Sequence, residues 1–297
     1  MNAARLRTLP LALASVGMGV FLAYSQCDAI PAIGPVLIFI TTVLLQILSN
    51  FANDYGDYVH GADHAGRVGP DRMVQSGEIS PAAMLMGIRI VALLSLLSGG
   101  ALLYTVAGLT PKAFIFFAIG LTAIWAAYHY TAGNRPYGYA GLGDVFVFVF
   151  FGMVGVVGAY LVLCYEMVPT ILLPAISVGL LATGVLNLNN IRDINSDISA
   201  GKKTIPVRIG LAAAKKYHLF LLFGSVSSSI LYVVLNYKSP FQFVFLLVLP
   251  LIYLNAKAVI RLPGDNLRSI DPYLKQLAFT TLFFVLFFGI GNLFSQI

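Results

Sequence analysis

Between Asn53 and Arg72 the chain reads NDYGDYVHGADHAGRVGPDR, with four aspartates, two histidines and two arginines in twenty residues. A second polar stretch, NNIRDINSDISAGKKTIPVR at 189–208, has the same design. Each opens Asn-x-x-x-Asp (Asn53 and Asp57; Asn189 and Asp193) and runs on to an Asp and then a Gly followed by a base (Asp63, Gly66, Arg67; Asp197, Gly201, Lys202). Clustered carboxylates repel one another unless a cation holds them together. Oxygen donors without Cys suit a hard divalent ion, and Mg²⁺ characteristically binds through one or two carboxylates plus the phosphate oxygens of a substrate. The neighbouring bases, Arg67, Arg72, Lys202, Lys203 and Arg208, match a phosphate bridged by that metal. No Gly-x-x-x-x-Gly-Lys-Ser/Thr loop occurs, which argues against a nucleotide-driven machine, and no Cys/His pattern suggests zinc. His60 and His64 are spaced as i,i+4 and are read as solvated loop histidines, with metal ligation the alternative.

The elements that must position these groups belong in a bilayer. At 297 residues and 59% hydrophobic, with only 10% charged, the chain has more apolar surface than a soluble core buries. Nine apolar stretches reach about the 20 residues a membrane helix needs: 8–25, 32–52, 82–107, 112–130, 143–164, 168–188, 214–235, 240–260 and 275–295. They are too long and too uniform for barrel strands, and the first lacks a signal-peptide cleavage site, so it is kept as a span. With a cytoplasmic N-terminus, an odd number of crossings puts all Lys and Arg inside except Lys112 and Lys238. The net charge of +6 is mostly this topology signal and not a nucleic-acid footprint. Cys27 and Cys164 fall near external helix ends and are expected to be buried inert thiols; a disulfide is the alternative.

Gln46, Asn50, Asn53 and Asp57 recur at intervals of three and four, on one helix face. Thr183, Asn187, Asn190, Asp193 and Asp197 repeat that stripe in the sixth span. Amides are costly against lipid, so both stripes must face inward, either as interhelical glue or as the lining of a cavity whose rim carries the carboxylates; the carboxylates favour the cavity. The matched stripes predict an all-α, multi-pass membrane protein. We read it as one membrane-embedded domain over 1–297, built from related four-helix units at about 1–140 and 141–262 plus a last helix at 275–295, around a central cavity open to the cytoplasmic side. A diphosphate at the mouth of an apolar cavity points to a lipid diphosphate. Transport is the rival reading, disfavoured because the charges sit at one helix end and not at the midplane.

These segments resemble the UbiA-type intramembrane prenyltransferases over essentially the whole chain. The residues that carry the likeness are RLRTLP at 5–10, SNFANDYGDYVHGAD at 49–63, GPDRMVQSGEIS at 69–80, YTAGNRPYGYAGLGD at 130–144 and NNIRDINSDISAGKKTIPVRIG at 189–210. Gly61-x-Asp63, where the ubiquinone branch has an aspartate four residues after Asp57, looks like the branch acting on 1,4-dihydroxy-2-naphthoate in menaquinone synthesis. The resemblance implies Mg²⁺ held by Asn53, Asp57, Asp63, Asn190, Asp193 and Asp197, with Arg72 and Lys202 on the diphosphate and Asn50, Arg67, Lys203 and Arg208 in support. The partners implied are a polyprenyl diphosphate and the naphthoate, or alternatively 4-hydroxybenzoate or homogentisate. The setting implied is the bacterial plasma (inner) membrane, with no protein partner required. An allylic cation would be sheltered by aromatic faces: Tyr130, Tyr137 and Tyr139 lie near the mouth, of which Tyr130 is retained, and interfacial packing explains each equally well. Asp54 is a candidate proton acceptor, with a loop or metal-supporting role as the alternative. Arg89 is expected to snorkel or to pair with a carboxylate such as Glu78, and Asp144 to cap a helix start.

Overall fold

Helix starts in this chain are written in its sequence. Pro81 follows Ser80, whose hydroxyl accepts from the Ala83 amide at 3.2 Å, and Pro111 follows Thr110, which accepts from Ala113 at 3.3 Å. Proline gives up an amide that the first helical turn leaves unpaired, and the hydroxyl satisfies another. Ser239 and Gln242 close a reciprocal capping box before Pro240.

A computed structural model describes residues 2–27, 29–61, 72–133 and 136–296, and every regular element among them is helical. Nine helical runs among the described residues are long and apolar enough to cross a membrane. The first four are α1 (Leu9–Gln26), α2 (Ile33–Val59), α3 (Pro81–Ala107) and α4 (Pro111–His129). The fifth joins α5 (Gly143–Val147), a π-helical stretch (Phe148–Val157) and α6 (Gly158–Cys164). Then come α7 (Leu172–Arg192), the short α8 (Ile194–Ser199), α9 (Ile205–Leu235), a 3₁₀ run (Pro240–Val248) continuing into α10 (Leu249–Arg261), and α11 (Asp271–Phe294). Two boundaries differ most from expectation. Helix α2 continues beyond residue 52 to Val59, so Asn53 and Asp57 ride on its last turns. Helix α9 begins at Ile205 and not near 214, with a break at Gly210, whose φ of 78° is open to glycine. Polar residues at a membrane surface can prolong a helix, because its outer turns are solvated.

Helix α7 is the hub, packed by α9, the π-helical stretch and α11, while α1 packs on α11 and the π-helical stretch. Small residues allow the approach: a Cβ on Gly152 would lie 2.7 Å from the Ala175 carbonyl, and Ser15 of α1 donates to the Phe151 carbonyl. The outer face of α4 shows Phe114, Ile115 and Trp125, apolar groups suited to lipid.

The second polar stripe splits in two. Asn187 is fully buried and donates to the Ala214 carbonyl of α9 at 3.2 Å, and Thr183 returns its hydroxyl to Gly179 at 2.8 Å. Asn187 bonds α7 to α9, Thr183 bonds back into its own helix, and neither lines the cavity, which faces Ala182, Leu186, Asn189, Asn190 and Asp193. A helix enclosed on all sides can carry polar groups on more than one face. Cys27 and Cys164 are bonded as a disulfide with Cα atoms 5.9 Å apart, which overturns the expectation of inert thiols; two helix ends distant in sequence meet there.

Candidate active site

A cavity of about 630 Å³ opens among α1, α2, α3, α4, the fifth span, α7 and α11. Its interior is apolar, with Leu102, Leu103, Phe116, Phe117 and Phe150 among its walls. Asn50, Asn53, Asp57, Arg72, Tyr130, Asn190, Asp193, Asp197 and Lys202 lie on its polar part. Asp63, His64 and Arg67 lie outside the described residues.

Asp57 is 2% exposed and surrounded by donors. Arg72 forms an ion pair with one carboxylate oxygen. The other accepts from the Tyr139 hydroxyl at 2.6 Å and from the Lys202 ammonium at 3.3 Å, and that ammonium stands 4.6 Å over the Tyr139 ring. The 189–208 stretch therefore reaches Asp57 of α2 through Lys202, and the loop after α4 reaches it through Tyr139. That loop is pinned from both sides. Thr131 donates to the Asn53 side chain at 3.0 Å and the Ala52 carbonyl at 3.1 Å, and the Lys203 amide donates to the Tyr139 carbonyl at 3.0 Å.

Asp193 sits where α7 gives way to α8. The buried Arg192 guanidinium donates to both its oxygens, at 2.7 and 2.6 Å, to Asn189 at 2.7 Å and to Asp271 at 2.8 Å. Asp197 is buried on α8 and accepts from Thr204 at 3.4 Å. Its carboxyl is pushed up to about 6, chiefly by burial, against the pull of Lys202 and with the negative fields of Asp193 and Asp57 added.

That mutual field tests the fit of a metal. Among the described residues no three acidic, His or Cys side chains are close enough to hold an ion as they stand. Asp57, Asp193 and Asp197 and the amides of Asn53 and Asn190 nonetheless line one cavity, an all-oxygen set suited to Mg²⁺. The carboxylates are now balanced by Arg72, Lys202 and Arg192, so the donor chemistry fits but the carboxylates must rearrange to share a cation.

Several candidates have other partners. Asp54 is 1% exposed, does not line the cavity, and accepts from the Met73 and Val74 amides at 3.1 and 3.2 Å. It fixes the segment that carries Arg72, which fits the loop role weighed for it beside proton acceptance. Asn50 donates to the Ala4 carbonyl at 2.7 Å and to Thr8 at 3.0 Å, tethering the N-terminal segment at the cavity wall. Lys203 and Arg208 are exposed and away from the cavity lining. Arg208 bonds the carbonyls of Lys203 and Ala140 and so clamps two loops together. His60 pairs with the Gly133 carbonyl at 2.8 Å. Tyr130 lines the cavity, and burial followed by nearby Asp144, Tyr137, Asp57 and Asp197 holds its phenol above the ordinary value, so it presents a neutral ring. Asp144 accepts from Tyr217 at 3.1 Å, with no side-chain cap at its helix start. Arg192 and Asp271 were not among the site residues expected, and Tyr139 was weighed only as an aromatic face near the mouth, not as a partner of Asp57. The Arg192–Asp193 adjacency was the available signal, but nothing local links Arg192 to Asp271.

A membrane-embedded helical bundle with a carboxylate-and-cation rim above an apolar cavity is built to hold an anionic head group on an apolar chain. Residues 12–270 match the UbiA prenyltransferase family, and the chain belongs to that family. It is 43% identical to a 1,4-dihydroxy-2-naphthoate octaprenyltransferase of Escherichia coli (96% of this chain, 93% of the relative). It is 40% identical to one of Haemophilus influenzae (98% and 94%). Its fold matches a UbiA homolog from Aeropyrum pernix (TM-score 0.71, 17% identity, 98% of each chain). It also matches one from Archaeoglobus fulgidus bound to DMAPP and Mg²⁺ (TM-score 0.62, 20% identity, 97% of this chain and 98% of that one).

Proposed function

We propose that this protein transfers a polyprenyl chain from polyprenyl diphosphate to 1,4-dihydroxy-2-naphthoate, releasing diphosphate and CO₂ and giving demethylmenaquinol. The observation that carries this reading is near full-length identity of 43% to a relative named for that acceptor, in a chain whose Asp-rich stretches line one cavity. Asp57, Asp193 and Asp197, with Asn53, Asn190 and Asp63, would hold Mg²⁺, and Arg67 would support the diphosphate. Bound there, the metal neutralises charge on the departing diphosphate. Arg72 and Lys202, released from Asp57, meet diphosphate oxygens and stabilise the negative charge that develops as the allylic C–O bond breaks. The neutral face of Tyr130 shelters the allylic cation. The acceptor carbon bearing the carboxylate forms the new C–C bond, and loss of CO₂ returns its bonding pair to the ring, so no separate base is required.

The N-terminus and both Asp stretches face the cytoplasm, and the membrane is the bacterial plasma membrane. The Lys and Arg distribution supports this orientation, as does a disulfide at the opposite helix ends, since such bonds persist in oxidising compartments. The Asn-x-x-x-Asp stretches at corresponding ends of the second and sixth spans support a duplicated unit within one domain.

Membranes given labelled polyprenyl diphosphate, 1,4-dihydroxy-2-naphthoate and Mg²⁺ should yield prenylated naphthol, abolished by EDTA and by Asp57→Ala or Asp193→Ala. Full activity in either variant at normal expression rules out the metal assignment. A preference for 4-hydroxybenzoate rules out the acceptor.

A further inference from the structure

Arg192 occupies both oxygens of a residue proposed to bind metal. Its guanidinium is buried, and Asp193 accepts from Nε and Nη2. A third nitrogen, Nη1, points the other way, to Asp271 at the start of α11. The Asp271 side chain is 48% exposed and lines the same cavity, and Arg192 is its salt-bridge partner among the described residues. Two carboxylates from different helices thus compete for one planar cation. Arginine is suited to such sharing, because its fork presents separate edges to separate acceptors.

We infer that Asp271 is a positioning residue that controls how readily Asp193 is given up to the metal–diphosphate. This rests on the assignment of Asp193 as a metal ligand. With Asp271 ionised, Arg192 has a second anionic seat and relaxes its hold on Asp193. Without that charge, Asp193 is the only anion among the described residues bonded to Arg192, their pair tightens, and the carboxylate is less available. Asp271 acts through Arg192.

The test is Mn²⁺ binding to detergent-purified full-length protein in the presence of inorganic diphosphate, read by electron paramagnetic resonance, with the melting temperature measured in parallel. Asp271→Asn should weaken Mn²⁺ binding about 10-fold, the scale of one charge-assisted hydrogen bond, and Asp271→Glu should restore it. Asp271→Ser is the second variant if the amide form is poorly folded. In an Arg192→Gln background, where Asp193 is already released, Asp271→Asn should change the affinity less than about twofold. An unchanged affinity in Asp271→Asn overturns the inference. So does a loss of equal size in the Arg192→Gln background, which would mark a through-space effect of charge. Asp193→Asn separates the two levels: if it leaves Mn²⁺ binding intact, the metal assignment itself fails. If it abolishes binding while Asp271→Asn does nothing, only the role of Asp271 fails.

Discussion

Replacing Gly56 with alanine would drive a methyl group into the backbone of the loop that carries Tyr139. The nearest atoms to a Cβ there are the carbonyl carbon and oxygen of Thr131, both at 2.5 Å, and the Ala132 nitrogen at 2.6 Å. Ordinary contact starts at 3.4 Å, so α2 and the loop must part by about 0.9 Å. No flexible side chain can absorb this, and Thr131 is itself bonded to Ala52 and Asn53. Overpacking costs about 1–3 kcal/mol, and alanine returns about 1 kcal/mol over glycine in a helix. The net loss of stability is therefore small, at most about 2 kcal/mol. Activity should suffer more, because the shift falls between Asp57 and the Tyr139 hydroxyl that bonds it, and an ångström of misplacement can cost about 10²-fold in rate. Purified Gly56→Ala should show a kcat/KM loss near that size with a modest drop in Tm. Gly100→Ala, whose Cβ meets nothing within 4 Å, serves as the control. Wild-type turnover in Gly56→Ala would refute the coupling between loop and carboxylate.

Tyr139→Phe removes one hydrogen bond to a buried carboxylate, worth roughly 1.5–3 kcal/mol. We expect kcat/KM for the donor to fall about 10-fold or more with folding preserved, as checked by steady-state kinetics and melting. Asp197, pushed up to about 6 from an ordinary 3.8, is favoured in its protonated form by the fold. Its contribution to stability is present below 3.8 and lost as pH rises through 6, so melts in EDTA should show a decline across that window that is absent in Asp197→Asn. Cys27 and Cys164 close a loop with a sequence separation of 137, for which chain entropy gives up to about 5 kcal/mol. Cys27→Ser should lower the melting temperature, and the wild type alone should change mobility between reducing and non-reducing gels.

Much of the site was legible because its groups recur in helical register near helix ends. Asn53 and Asp57, and Asn190, Asp193 and Asp197, could be placed from spacing alone, since polar side chains on an apolar helix must face inward. Thr183 and Asn187 obeyed the same spacing and were misplaced, because α7 is enclosed on every side and inward is not one direction. Asp54 differs from Asp57 only in the face it occupies, and one turns toward the Met73 and Val74 amides while the other turns toward the cavity. The Arg192–Asp271 pair was unreadable, and the Cys27–Cys164 bond legible only as an alternative, for a different reason: each joins residues whose proximity exists only after the helices have packed.

The disulfide also sets a clock on biogenesis. In the proposed orientation Cys27 emerges on the oxidising side behind the first span, and its partner follows only behind the fifth. Until then Cys27 waits as a thiol, open to alkylation or to a mixed disulfide with an oxidant. The bond can close before residues 189–203 have joined their counterpart around Asp57. A trapped mixed disulfide on nascent chains shorter than five spans, and its absence on longer ones, would make this cysteine a reporter of how far membrane insertion has proceeded.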